Sequence, residues 1–421
     1  MWRVLQLAPY RRLVVTSLLN ELASSIGSVA LALLVYRRTG SAIGATAFFL
    51  CAQFAPAILS PFFVARLDQR TARLVLAALY VVEAVVFAVL AWVAHHFSLA
   101  SVLALALVDG TLALTARVLS RAAWTPVTSA AGLLREGNAV LNTGYSVLYM
   151  VGPAIAGVLV ALVGTVATLL VNVGVFAVVA VVAGTTRGLP RAASERAPSA
   201  GRLRAALEYV RGDVTLRNLL LLQAVGIAFF TLATPVEVVF AQRSLHAGAG
   251  GYGALLSVWG AGAIAGSLVY ARWRALPSRT LITAGTVSVA IGFLVMAVAP
   301  SLGVALVGAA IGGLGNGMGM VAARTALQEL APERWLALLV GLNESIFYLM
   351  PGIGFLIGGG IAALAGPRAA LAVGAAGSVA VAAAVWVKLR AAVAPAEVSE
   401  LVALPNEVTL EATAGSGSPR P

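Results

Sequence analysis

The sequence predicts an all-α polytopic membrane protein, with twelve transmembrane helices arranged as two six-helix pseudo-repeats. Three observations predict it. Of the 421 residues, 60% are apolar and only 10% charged, a balance foreign to an ordinary water-soluble globule. Apolar windows of about 20 residues, enough to cross a hydrocarbon core of roughly 30 Å, recur twelve times between charge or turn signals. With both termini cytoplasmic, all but Arg37, Arg38, Arg243 and Arg368 of the 28 basic residues fall in inner segments, where basic residues of short loops stay.

The elements follow in order. The first window, 12 to 36, starts after Arg11 and Arg12 and stops at Arg37; it is too long for a signal-peptide core and lacks a small-residue cleavage site, so it stays as a span. The second, 42 to 65, runs from Gly40 to Arg66, and the third, 73 to 95, from Arg73 to the pair His95 and His96. The fourth, 98 to 119, ends among Arg117 and Arg121, and the fifth and sixth, 138 to 163 and 165 to 186, divide at Gly164. The seventh and eighth are 217 to 242 and 250 to 271; the ninth and tenth, 279 to 299 and 301 to 323, divide at Pro300. The last two, 338 to 364 and 367 to 389, divide at Gly366 and Pro367.

One long charged interruption, "RGLPRAASERAPSAGRLRAALEYVRGDVTL", parts the spans six and six. The expected organisation is a first bundle over 1–186, a cytoplasmic linker over 187–216, a second bundle over 217–390 and a flexible cytoplasmic tail over 391–421. In the linker, Leu203, Ala206, Leu207 and Val210 recur at helical spacing with charges opposite, which predicts a short amphipathic helix on the inner membrane surface. Residues recur across the halves: Arg37 and Arg243, Arg66 and Arg272, and Arg73 and Arg279 are 206 apart; Gly152 and Gly354, Gly157 and Gly359, and Gly164 and Gly366 are 202 apart. Parallel six-span repeats are the build of a rocking-bundle transporter with its site between the halves.

The same residues exclude other functions. The positive charge is spread over inner loops, with no soluble face on which to bind nucleic acid. Cys51 is the only cysteine and lies mid-span, and His95 and His96 have no carboxylate nearby in sequence, so no metal site and no cofactor is expected. There is one lysine and no Gly-Lys dipeptide, hence no P-loop; there is no GxSxG or HExxH, hence no expected enzyme. The partners expected are the lipid bilayer, a small-molecule substrate and protons, with the chain a monomer in the cell inner membrane.

Several stretches resemble the major facilitator superfamily, and within it the drug:proton antiporter branch that includes macrolide efflux proteins. They are "LVYRRTGSA" (34 to 42), "SPFFVARLDQRTARL" (60 to 74), "SRAAWTP" (120 to 126), "VGPAIAG" (151 to 157), "LEYVRGDVTLRNLL" (207 to 220) and "GLGNGMGMVAARTALQELAPE" (313 to 333). The resemblance implies alternating access, export of amphipathic molecules or drugs and proton coupling. It also implies gating roles for Asp68, Arg73 and Arg121, with Arg324 the counterpart of Arg121. The loop after the second span departs from the family pattern: Val64 stands for a glycine, Gln69 for a basic residue, and Thr71 and Ala72 for a glycine and an arginine. A specific-metabolite exporter of a siderophore or lipid, and a non-transporting membrane sensor of the same fold, are the alternatives.

Five acids fall inside spans. An acid at the bilayer centre costs at least ~2.5 kcal/mol, so each should be neutral, paired or facing water. Glu21 heads a polar stripe with Ser24, Ser25 and Ser28 beside Asn20, and is expected to face the cavity as the proton-coupling group, although relatives often carry an amide there. Asp109, Glu237 and the neutral Gln53 are further cavity candidates, Glu237 alternatively an outer-gate residue. Glu83, on a third span that is usually peripheral in the resembling superfamily, is expected to be a packing partner or a neutral protonated group rather than a coupling group, and Glu344 to reach the inner interface. Gly152, Pro153, Gly157, Pro351, Gly354 and Gly358 are expected to bend the fifth and eleventh spans and let them pack closely.

Overall fold

The computed structural model describes residues 2–67, 71–186 and 200–389. Within them, 11 helices are long and apolar enough to cross a membrane. Ten are single spans: Ala8–Thr39, Ala42–Leu67, Ala72–His95, Leu99–Ala130, Val214–Ser244, Gly248–Trp273, Ser278–Val298, Leu302–Leu330, Arg334–Ala365 and Pro367–Lys388. The remaining helix, Leu134–Thr185, has 52 residues, about 78 Å at 1.5 Å per residue, or two bilayer cores. Its backbone turns over at Gly164, with φ 80° and ψ 169°, a region open essentially to glycine alone. The break gives a fifth and a sixth span, and Gly366 parts the eleventh from the twelfth with nearly the same dihedrals, φ 88° and ψ 165°.

Helix ends follow local chemistry. Gly40 stops the first span in the left-handed conformation, its N–H donating to the Tyr36 carbonyl at 2.8 Å. The Ser41, Ser98 and Asp213 side chains accept from the N–H groups of Gly44, Ser101 and Leu216 at the next N-termini. Pro153 and Pro351 sit inside helices that continue through them. The second and seventh spans each contain a π-helical turn, Leu50–Phe54 and Phe240–Ser244.

Equivalent contacts recur in the two halves. Gly152 packs against Ser25 of the first span, and Gly354 packs against Thr231 of the seventh, 206 residues beyond Ser25. The halves meet in the part of the bundle away from the chain termini. There the fifth span crosses the eighth at Gly157 and Gly253, where a Cβ on Gly157 would lie 3.1 Å from the Gly253 Cα. The second span crosses the eleventh, with Phe49 and Phe355 rings 6.0 Å apart and Gly359 on Thr46. Arg37 Nε donates to Gln242 Oε1 at 3.5 Å across the rim. At the opposite end, the fourth and fifth spans make at most slight contact with the tenth and eleventh among the described residues. The halves thus enclose a space closed at the far end and open toward the termini.

The linker helix, Ala200–Gly212, docks on the second bundle. Val210 is buried in a cluster with Leu216, Leu327 and Leu339, and the Tyr209 and Trp335 rings lie 6.5 Å apart. Leu207 is exposed; the side chains of Leu203 and Ala206, like residues 187–199 and 390–421, lie outside the described residues.

Candidate functional site

Glu21 and Arg117 form an ion pair between the first and fourth spans of the first half. Residues 8 to 39 make one uninterrupted apolar helix, which carries Glu21 to mid-depth, and Arg117 approaches from the fourth span. The Arg117 Nη2 donates to Glu21 Oε2 in an ion pair whose side chains are 44% and 20% exposed, so both partners still see solvent. Tyr145 of the fifth span lies within electrostatic reach of Glu21, Arg117 and Arg121. Tyr149, one turn on, is 58% exposed and within reach of both Glu21 and Glu237, so it faces the space from between the two halves.

Glu237 sits at the closed tip. It is 9% exposed, on the seventh span after Pro235, near Tyr149 and the buried Tyr252 of the eighth span. Tyr252 precedes Gly253 of the glycine crossing, which puts Glu237 within electrostatic reach of that end of the eighth span.

The remaining expected residues scatter. Asn20 is buried, with Oδ1 lacking a partner, so it belongs to packing between spans and does not line the open space. Ser25, from the polar stripe, is taken up against Gly152. Gln53 is exposed within the π turn of the second span. Arg121 is exposed and Arg73 half-buried; Asp68 lies outside the described residues. Arg324 pairs with Glu344 of the eleventh span at 3.0 Å, both about half exposed, so Glu344 is held by an arginine rather than reaching alone to the interface. Glu83 is 0% exposed inside the first half, within electrostatic reach of Asp109 of the fourth span. Gly157 lies between the halves, whereas Gly354 and Gly358 press on Thr231 and Leu232 of the seventh span within one half. Sequence reasoning missed Arg117, reading it only as one of the arginines at the end of the fourth span; a basic residue inside the apolar part of a span was the available signal.

Two pseudo-equivalent six-span bundles around a solvent-connected space that carries paired charges define a transporter of the major facilitator type. A family model described as "Transmembrane secretion effector" matches residues 2–338, and the chain belongs to that family. No curated protein matches it by sequence. Solved structures share the fold. The nucleoside transporter NupG is 14% identical with a TM-score of 0.70, over 91% of this chain and 99% of that one. A bacterial homologue of the iron transporter ferroportin, in an inward-facing state, is 15% identical with a TM-score of 0.70, over 90% and 97%. A bacterial homologue of the human lysosomal transporter Spinster, inward-facing and unoccupied, is 14% identical with a TM-score of 0.69, over 91% and 97%. These family and fold relatives are membrane transporters, not enzymes.

Proposed function

We propose that the chain exports amphipathic small molecules or drugs across the cell inner membrane, by alternating access coupled to inward proton flow, as a monomer with both termini cytoplasmic. The observation that carries the proposal is the space between the halves, open toward the termini, closed at Gly157 and Gly253, and lined by Glu21, Arg117 and Tyr149. Such a space loads from one side and can discharge on the other only by reopening at the crossing. With the termini cytoplasmic, as the arginine distribution favours, the loading side is the cytoplasm. The family description, a secretion effector, agrees with outward movement.

The test is proton flux in inverted vesicles, across a panel of lipophilic cations, macrolides and siderophores. Substrate-dependent flux for at least one amphipathic compound is expected. Neither flux nor binding for any member would overturn the proposal in favour of a non-transporting sensor.

A further inference from the structure

Behind the Glu21–Arg117 pair, inside the first bundle, lies a second ionisable site. Glu83 on the third span is fully buried, and neither carboxyl oxygen has a hydrogen-bond partner. Tyr80, one turn earlier, and Ser120 on the fourth span add two buried hydroxyls that lie near each other with no other partner. Aromatic rings close one side: Phe176 of the sixth span stacks on Phe87 at 5.3 Å and on Tyr80 at 6.5 Å. The titratable or charged groups facing the site are Tyr80 from the third span, Asp109 and Arg117 from the fourth and Tyr145 from the fifth. The first span presents Gly27 against Phe87, and the sixth presents Phe176, neither of which ionises.

Glu83, fully buried and within electrostatic reach of a second carboxyl, cannot stay charged beside an ionised Asp109 without a cation between them. Arg117 is committed to Glu21. A metal ion would need about six oxygen ligands, and the site offers two carboxyl groups and two hydroxyls within helices whose carbonyls are engaged. A proton needs only one oxygen.

We propose that the buried Glu83 carboxyl, within electrostatic reach of Asp109, holds one exchangeable proton, and that this pair, rather than Glu21, couples proton movement to transport. Asp109, half-buried, exchanges with the inter-half space; Glu83 holds the proton out of water. No bond other than O–H forms or breaks: a proton taken up at one carboxyl is returned to solvent from the pair. A physical route leads onward. Gly110, next to Asp109, is seated on the backbone of Ala52 in the π turn of the second span, and Phe54 of the same turn packs on Gly352 of the second bundle.

The inference rests on the proton coupling proposed above, and its test reads the site directly. Infrared spectra of the full chain in liposomes, without substrate, follow the C=O stretch of protonated carboxyl groups and its shift in D2O. The wild type should show a component that Glu83→Gln removes and whose pH dependence Asp109→Asn alters, while Glu21→Gln leaves it in place. A component unchanged in Glu83→Gln, or one that answers to sodium rather than pH, overturns the assignment. Should Glu83→Gln fail to fold, Asp109→Asn carries the test: an unchanged pH profile there overturns it equally. Proton-driven efflux with no Glu83 component would sink the site but spare the function; a Glu83 component without proton-driven efflux would do the reverse.

Discussion

The two halves share a repeat but hold themselves together differently. The first bundle carries more chemistry among its spans: the partly exposed Glu21 with Arg117, and the buried Glu83 within reach of Asp109. The second, whose one deeply buried acid among the described residues is Glu237, packs chiefly through glycine. On its tenth span Gly313 and Gly317 press against the backbone of Trp259 and Ala263 in the eighth, while Gly308 and Gly315 press against Gly292 and Gly285 in the ninth. Close backbone packing is stiff and electrically silent, since helices in lipid gain from van der Waals contact where no hydrophobic force draws them together. Buried ionisable groups are costly and responsive. The pattern suits a machine in which one half senses and the other serves as a rigid partner.

Steric insertion should give the largest effect on this contrast. A side chain at Gly266 would collide with the Leu314 backbone, whereas one at Gly174 in the sixth span meets nothing within 4 Å. Gly266→Leu should cost about 3 kcal/mol, seen as a lowered melting temperature and loss of monodisperse protein in detergent, with Gly174→Leu unchanged. Equal sensitivity at both positions would break the contrast.

Next come the charges. Glu21→Gln and Arg117→Ala each leave one partner unpaired, and because both are partly exposed the expected cost is about 1 kcal/mol, roughly a fivefold fall in efflux rate. The double variant should fall less than the two effects combined; simple additivity would show that the ion pair does not act as a unit.

At the crossing, Gly157→Val would force its side chain into Gly253 and the Ala249 carbonyl. Spin labels at Ser41→Cys and His246→Cys, on opposite halves at the far end, should then report a longer distance than in the unsubstituted background. A distance that stays put would mean that the second and eleventh spans alone hold the closure.

The smallest effect belongs to the rim. Arg37 and Gln242 meet at 3.5 Å in an exposed position, so Arg37→Gln should change efflux less than twofold, within about 0.5 kcal/mol.

Much of this fold was legible in the chain, because lipid demands long apolar helices and glycine marks where they stop. Gly164 and Gly366 were readable as breaks, and the structure gives both the same dihedrals. The offset of 202 residues reappears as Gly152 on Ser25 and Gly354 on Thr231. The site was harder. Glu21 and Arg117 are 96 residues apart, and which faces of two helices turn toward each other is not written in either helix's apolar pattern. Glu83 sits in a span apolar on nearly every side, so no periodicity shows whether its carboxyl meets lipid or core. Pro153 and Pro351 lie inside helices that run on through them, and the backbone turns over at the later glycines.

The π turns carry an implication of another kind. Leu50–Phe54 holds one residue more than an α turn would, and each residue advances a helix by about 100°. Everything in the second span beyond Phe54 is therefore dialled round relative to everything before it. Deleting one residue between 50 and 54 would keep the helix and its length nearly intact while swinging Phe48 and Ser60 out of their present relation. A lineage could re-aim one wall of the chamber by a single-codon insertion or loss, without altering any side chain that lines it.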